Sequence, residues 1–209
     1  MRNTNRARGL FAAVVAVALL VGGVSVASNM GFKFVPSVAA TEFFNLSLPW
    51  NHNYNKANDL LNDIAESTRV ARFTTDAKLE SWTRTSSPPA FTLDPNTAYI
   101  LEADATGISS AVIVGSHDPN TTLDFTASQW FNVSAPYHST ISKLNDILND
   151  LEAQLGAGSI ERVAVFSSAA KLESWTSTSS PGFNRTAALG EGVLVLPAST
   201  VGGYAWPHY

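Results

Sequence analysis

The four histidines are the first candidates for chemistry, because imidazole binds metals and transfers protons near neutral pH. His52 and His138 follow similar apolar segments, while His117 and His208 lie further along the chain. His117 is next to Asp118, so an imidazole and a carboxylate could together bind a metal. The spacing matches no metal signature, such as a His-x-x-x-His pair on a helix. We therefore favour surface histidines and predict neither a metal nor another cofactor.

A carboxylate and an indole recur together, as Glu80 with Trp82 and Glu173 with Trp175. Such pairs occur in glycan sites, although two carboxylates that cleave a glycosidic bond need a defined separation. The alternative is structural, since Lys-Leu-Glu-Ser-Trp is a good strand and buried tryptophan is common in cores. Because both copies keep it, we favour the structural interpretation. Exposure of both tryptophans on one flat face would instead favour glycan binding.

Serine chemistry has one candidate segment, Gly115-Ser116-His117-Asp118, which holds the three residue types of a hydrolytic triad. Adjacent residues of an extended chain point to opposite faces, so this string cannot itself form a triad. The chain also lacks a Gly-x-Ser-x-Gly motif. The acidic residues from Asp118 to Asp124 lack the glycine and glutamate of a 12-residue calcium loop, and they predict a turn.

An internal repeat positions most of these residues. Its matching segments are Phe44–Trp50 with Phe131–Tyr137, Asn58–Ile64 with Asn145–Leu151, and Ala77–Thr83 with Ala170–Thr176. Their order is kept and their spacing changes by only a few residues, which predicts two tandem homologous modules. We place an N-terminal extended segment at 28–41, module 1 at 42–124 and module 2 at 125–209. The candidate ligand or core aromatics are Trp50, Trp82, Tyr137 and Trp175.

Each module is predicted to be one helix packed on a mainly antiparallel sheet. Apolar residues alternate along Phe44–Leu48, as in a half-buried strand. Apolar residues with helical spacing run from Ala57 to Ile64 and from Ile141 to Leu155. The remaining segments are predicted strands, so the fold class is α+β and strand-dominated. The alternative is one intertwined sandwich whose two halves share a single core.

The N-terminus has the three parts of a signal peptide. Arg2, Arg6 and Arg8 precede an apolar run from Leu10 to Val21, and small residues follow up to Ala27. We predict cleavage after Ala27, which makes 1–27 the signal peptide. The alternative is a retained anchor. No second apolar run of membrane length follows, so we expect an exported protein that meets the membrane only through this peptide.

Charge and cysteine content exclude several classes of function. The chain has a formal charge of −4, and removing the three arginines of residues 1–27 changes it to −7. Nucleic-acid binding would need a basic patch. The absence of cysteine rules out disulfides and thiolate catalysis. Small secreted eukaryotic domains usually contain disulfides, so this absence favours a bacterial source.

With the repeat in view, the chain resembles a group of uncharacterised secreted bacterial proteins. The resemblance depends on the Ser-Asn-Met-Gly-Phe-Lys sequence at 28–33 and on two modules that run from an Asn-x-Ser-x-Pro-aromatic strand, through a helix, to a tryptophan hairpin. It covers the chain after residue 27. The resemblance implies an exported, two-module protein and supplies no catalytic residue. Related modules are accessory parts of bacterial surface proteins.

A candidate assembly strand lies outside the repeat. Met30, Phe32 and Phe34 alternate with smaller or polar residues, which predicts a strand without a counterpart before Phe131. It either closes the edge of its own module or adds to a sheet of a neighbouring molecule. We therefore predict an exported, non-enzymatic structural or adhesive surface protein, whose partner is another copy of itself or a surface polysaccharide. The alternatives are a carbohydrate-binding module and a hydrolase.

Overall fold

A computed structural model describes residues 30–207, apart from 88–89, 96, 117, 119, 136–138, 179–183 and 189, and gives the backbone alone for 30–34. The predicted signal peptide therefore lies outside the described residues, as do His117, Tyr137, His138 and His208. In the part of the chain that is described, no helix has the length and apolar character needed to cross a membrane.

The chain forms twelve described strands and two described helices. The first half (residues 30–116) contains β1 Met30–Val35, β2 Phe43–Ser47, α1 Ala57–Asp63, β3 Ser67–Phe73, β4 Leu79–Thr83, β5 Ala98–Ala103 and β6 Ala111–Ser116. The second half (residues 122–207) contains β7 Thr122–Phe125, β8 Phe131–Val133, α2 Leu144–Leu155, β9 Ile160–Phe166, β10 Leu172–Trp175, β11 Val193–Pro197 and β12 Val201–Ala205.

The strands form four antiparallel sheets. One four-stranded sheet has the order β2-β5-β3-β4, and the other has the order β8-β11-β9-β10. Two smaller sheets pair β1 with β6 and β7 with β12. All these pairings are antiparallel. The predicted strand-dominated α+β class is therefore confirmed.

Each helix covers a sheet with the apolar residues that the sequence spacing indicated. Leu60 and Leu61 of α1 are at most 1% exposed, and so are Leu144, Leu148 and Leu151 of α2. The backbone N–H groups of Asn55 and Lys56, just before α1, donate to Asp59 Oδ2 over 2.9 Å. A carboxylate in the first turn satisfies donors near the helix start and complements the helix dipole.

The buried apolar side chains form two clusters. One contains residues between Val35 and Ile113, and the other contains residues between Phe125 and Trp206. Each cluster therefore belongs to one half, unlike the single shared core of the alternative interpretation. The two halves meet where β2 contacts β9 and where β8 contacts β3 and β5.

The prediction that the N-terminal strand has no counterpart is wrong. The turn predicted at Asp118 is present, with Asn120 N donating to Asp118 Oδ1 over 2.9 Å. Directly after this turn, and before Phe131, lies a strand that was not predicted, β7, which begins at Thr122. β7 pairs with the last strand of its half, as β1 pairs with β6. Sequence reasoning missed β7 because its four residues are too short to show an alternation.

The candidate assembly strand is paired within the chain. Met30, Phe32 and Phe34 are register partners of Ser116, Val114 and Val112 on β6. This arrangement corresponds to the self-closing alternative for residues 30–35.

Candidate functional site

Both copies of the Asn-x-Ser motif lie where the two halves meet. Ser47 ends β2 and Ser134 follows β8, and their hydroxyl oxygens are 2.5 Å apart. Ser47 is 0% exposed and Ser134 is 8% exposed. A direct contact between two buried hydroxyls, 87 positions apart in the chain, marks the centre of the contact surface, which we call the seam.

The hydroxyl oxygen of each serine lies near a carbonyl at a matching position of the other half. Ser47 Oγ lies 3.1 Å from the carbonyl oxygen of Ala135, and Ser134 Oγ lies 2.5 Å from that of Leu48. Leu48 and Ala135 occupy the same position of the repeat. Two hydroxyl hydrogens serve these three contacts, because each serine has one donor. The two shortest contacts therefore form a chain in which Ser47 donates to Ser134 and Ser134 donates to Leu48.

The two asparagines of the motif also bind across the seam. Asn132 Nδ2 donates to the Phe73 carbonyl over 2.7 Å, and Phe73 N donates to Asn132 Oδ1 over 3.3 Å. Asn45 Nδ2 donates to the Gly192 carbonyl over 2.8 Å, while Gly192 N donates to the Asn45 carbonyl over 2.6 Å. The asparagines thus satisfy backbone groups of the other half.

The asparagine contacts are not fully equivalent. Asn45 is 0% exposed, and its Oδ1 has no partner among the described residues. A buried acceptor without a partner costs about 1–3 kcal/mol. The seam is therefore better satisfied at Asn132 than at Asn45.

Backbone and aromatic contacts extend the seam on both sides. Phe43 N donates to the Ser168 carbonyl over 3.1 Å, and Trp130 N donates to the Thr75 carbonyl over 3.3 Å. These are again matching positions of the repeat, used reciprocally. The ring of Phe166 meets the ring of Phe43 edge-on, with centroids 5.6 Å apart. Each half therefore binds the tip of the other half's hairpin.

Close approach at the seam also requires a glycine. A Cβ on Gly192 would lie 2.0 Å from the Cβ of Ala98. Backbone segments can come this close only where one of them has no side chain.

A buried carboxylate lies beside the seam. Glu191 is 2% exposed and accepts hydrogen bonds from Arg185 Nη1 over 2.8 Å and from Ala188 N over 2.7 Å. Burial raises the pKa of Glu191, and the bond from Ala188 and the charge of Arg185 oppose that rise. Arg185 also pairs with Glu173 Oε2 at 3.1 Å. It therefore connects the β9–β10 hairpin, which contains Glu173, to Glu191 beside the seam.

A cleft of about 570 Å³ opens in the first half beside Trp82. The ring is half-buried and packs against the first core. Four of the other lining residues are polar, and the full set is Lys56, Asn58, Leu61, Asn62, Arg84 and Ala90. An aromatic wall with amide and cationic neighbours can stack on a sugar ring and bind hydroxyl or carboxylate groups.

Arg84 is fixed at this cleft by the end of α1. Its guanidinium donates to the Leu61 carbonyl, to the Ala65 carbonyl over 3.1 Å and to the Ser67 carbonyl over 3.2 Å. Carbonyls of a last helical turn lack partners within the helix, so a guanidinium there satisfies them. Sequence reasoning missed this residue because Arg84 lies far along the chain from the carbonyls it binds.

The predicted aromatic residues differ in exposure and in surroundings. Trp175 is 9% exposed and belongs to the second core, whereas Trp82 lines the cleft. The two tryptophans therefore do not form one flat exposed face, and the argument for glycan binding from their pairing is wrong. Trp50 is 42% exposed and lines a separate cleft of about 200 Å³, and Tyr137 lies outside the described residues.

The two repeated glutamates are both in ion pairs. Glu80 Oε2 lies 2.9 Å from Arg72 Nε, which also approaches Asp94 through its Nη1 at 3.3 Å. Glu173 pairs with Arg185 as described above. These contacts are structural, and they join each hairpin to the segment that follows it.

Of the histidines, His52 alone lies within the described residues. Its Nδ1 accepts a hydrogen bond from Tyr54 N over 3.2 Å, and burial lowers its pKa. Among the described residues, no three His, Asp or Glu side chains are grouped in a way that could hold a metal ion.

No protein-family model matches this chain, and no curated protein sequence or solved structure matches it.

Proposed function

We propose that this chain is an exported bacterial surface protein with a structural or adhesive role and no catalytic step. In this proposal it consists of two tandem homologous modules that function as one body. The signal-peptide pattern of residues 1–27 and the acidic composition of the remainder support export to the cell surface.

The observation that supports a structural role best is the reciprocal seam. The most distinctive repeated residues, Asn45 and Ser47 with Asn132 and Ser134, bind the other half. Two copies of a catalytic or binding site would instead point their repeated polar groups into a pocket that a ligand can enter. Here the asparagine and serine side chains bind the other half and hold the two halves in a fixed arrangement. Such an arrangement suits a protein with a structural role.

The proposal is tested by expressing the full chain in a bacterial host. We expect a processed protein that begins at Ser28 by mass spectrometry and is digested by protease added to intact cells. Ala27→Arg should block processing, because the cleavage site needs a small residue there. Wild-type protein that keeps residues 1–27 would contradict cleavage. Wild-type protein that stays protected inside the cell would contradict a surface role.

A second candidate function is carbohydrate binding at the Trp82 cleft. The supporting observation is the half-buried indole next to Lys56, Asn62 and Arg84. Because two of these groups are cationic, the candidate ligand is an acidic polysaccharide whose sugar ring stacks on Trp82.

Affinity electrophoresis in gels containing neutral or acidic polysaccharides tests this candidate. We expect retardation of the wild-type protein in an acidic gel and its loss in Trp82→Ala. Lys56→Ala and Asn62→Ala change exposed side chains and provide variants that keep the core intact. Trp50→Ala is the matched control, since Trp50 is exposed at a different cleft. Equal retardation of the wild type and all the cleft variants would reject this site, as would no retardation of the wild type.

A further inference from the structure

The outer edge strands of the two large sheets have nearly the same sequence. In the two large sheets, β2 and β8 are the terminal strands on one side, and β4 and β10 are the terminal strands on the other. Across the described part of the chain, no strand pairs with the outer side of either β4 or β10. Such edges present backbone donors and acceptors to any strand that fits them.

The hairpin geometry shows which backbone groups face outward. Thr74 N donates to the Lys78 carbonyl over 2.8 Å, and Ser167 N donates to the Lys171 carbonyl over 2.7 Å. Antiparallel strands alternate between residues that bond inward and residues that bond outward. Since the residue before Leu79 bonds inward, the N–H and C=O of Leu79 face outward. The same alternation applies to Leu172 on β10.

The side chains on these edges complement one another. Leu79 is 47% exposed and Leu172 is 40% exposed, at matching positions of the repeat. If two edges pair antiparallel with Leu79 opposite Leu172, Lys78 lies opposite Glu173. Glu80 then lies opposite Lys171. Apolar and oppositely charged pairs across strands stabilise a sheet.

We propose that copies of this chain associate edge to edge through β4 and β10. The proposal extends the structural role given above and rests on it. Both edges contain Lys-Leu-Glu, so the same register fits any two of them. Each copy has two such edges, one on each large sheet, and repeated pairing therefore produces open-ended assemblies. In such an assembly the sheets of successive copies become continuous, with one edge exposed at each end.

Proline at the outward position tests the proposal. Leu79→Pro and Leu172→Pro each remove an outward N–H and a leucine, while the inward bonds to β3 and β9 stay. We expect the wild-type protein to show sedimentation species that grow with concentration. Either single variant should lose species larger than a dimer, and the double variant should sediment as a monomer with an unchanged far-UV circular dichroism spectrum.

Lys171→Glu is a second variant, in case a proline disturbs folding. It places a like charge opposite Glu80 and should raise the concentration at which assembly begins severalfold. The matched control is Val112→Ser with Val114→Ser, which changes the exposed valines of β6, at 55% and 52% exposure, away from both edges. The control should assemble like the wild type.

Three results would overturn the proposal. They are a wild-type protein that is monomeric at the highest concentration it tolerates, a folded double-proline variant that assembles like the wild type, and a serine control that abolishes assembly. Protease digestion of intact cells tests the surface role independently of sedimentation. A failure of edge pairing is therefore distinguishable from a failure of the proposed function.

Discussion

The two tryptophan hairpins have nearly identical sequences but different surroundings. Trp82 lines an open cleft in the first half, while Trp175 is 9% exposed in the second core. The difference lies in the residues around the hairpin. Asn58 lines the cleft, whereas its counterpart Asn145 accepts a hydrogen bond from Asn184 Nδ2 and donates its backbone N–H to Asn184 Oδ1 over 3.0 Å. The two hairpins thus share a strand sequence but differ in the contacts of their tryptophans.

The largest expected effect is on stability at these two tryptophans. Trp175→Ala should lower the free energy of unfolding by about 3–5 kcal/mol, because it leaves a cavity in a core. Trp82→Ala should cost about 1–2 kcal/mol, since its ring is already half in solvent. Urea unfolding followed by circular dichroism measures both values. Equal losses would show that the two hairpins are packed alike.

The second prediction concerns the contact between the two halves at Ser47 and Ser134. Ser134→Val should lower the free energy of unfolding by about 1–3 kcal/mol, because Ser47 Oγ and the Leu48 carbonyl lose a buried partner. A double-mutant cycle with Ser47→Val measures the coupling across the seam by urea unfolding. Additive effects of the two substitutions would mean that the hydroxyls do not interact. Thr140→Val, at an exposed position, is a control expected to be neutral.

Asn184 should account for part of the difference between the hairpins. Asn184→Ala removes the side-chain bonds to Asn145 and should cost about 1 kcal/mol. It should also make Trp175 more accessible to acrylamide. Because the chain contains five tryptophans, this is measured as the part of the fluorescence quenching that is lost when Trp175→Phe is added to each protein. Unchanged quenching would assign the burial of Trp175 to other contacts.

The smallest effect concerns pH. The folded-state pKa of Glu191 lies above its usual value, so the folded protein binds this proton more tightly than the unfolded chain does. The contribution of Glu191 to stability is therefore complete at low pH, and it declines as pH rises above the usual glutamate pKa of 4.5. Arg185 and Glu173 are the charged groups that face it. Glu191→Gln should remove this decline, measured as unfolding free energy from pH 4 to 8, and an unchanged slope would contradict it.

Sequence patterns predicted the local elements well. The apolar spacing placed both helices, and alternation placed β1 and β2, because these patterns reflect which side of an element meets the core. Short strands were harder to predict from the sequence. β7 has only four residues and β12 has five. Their strand form depends on pairing with each other, which lies outside any local window.

The sequence by itself determined that the same Asn-x-Ser strand, helix and tryptophan hairpin occur twice, because side-chain periodicity and turn residues act locally. It could not show that Ser47 meets Ser134, that Arg84 binds the end of α1, or that Trp175 is buried while Trp82 borders a cleft. Those outcomes depend on contacts between residues far apart in the chain. Only the tertiary structure decides which buried polar groups find partners and which repeated side chain is left at the surface.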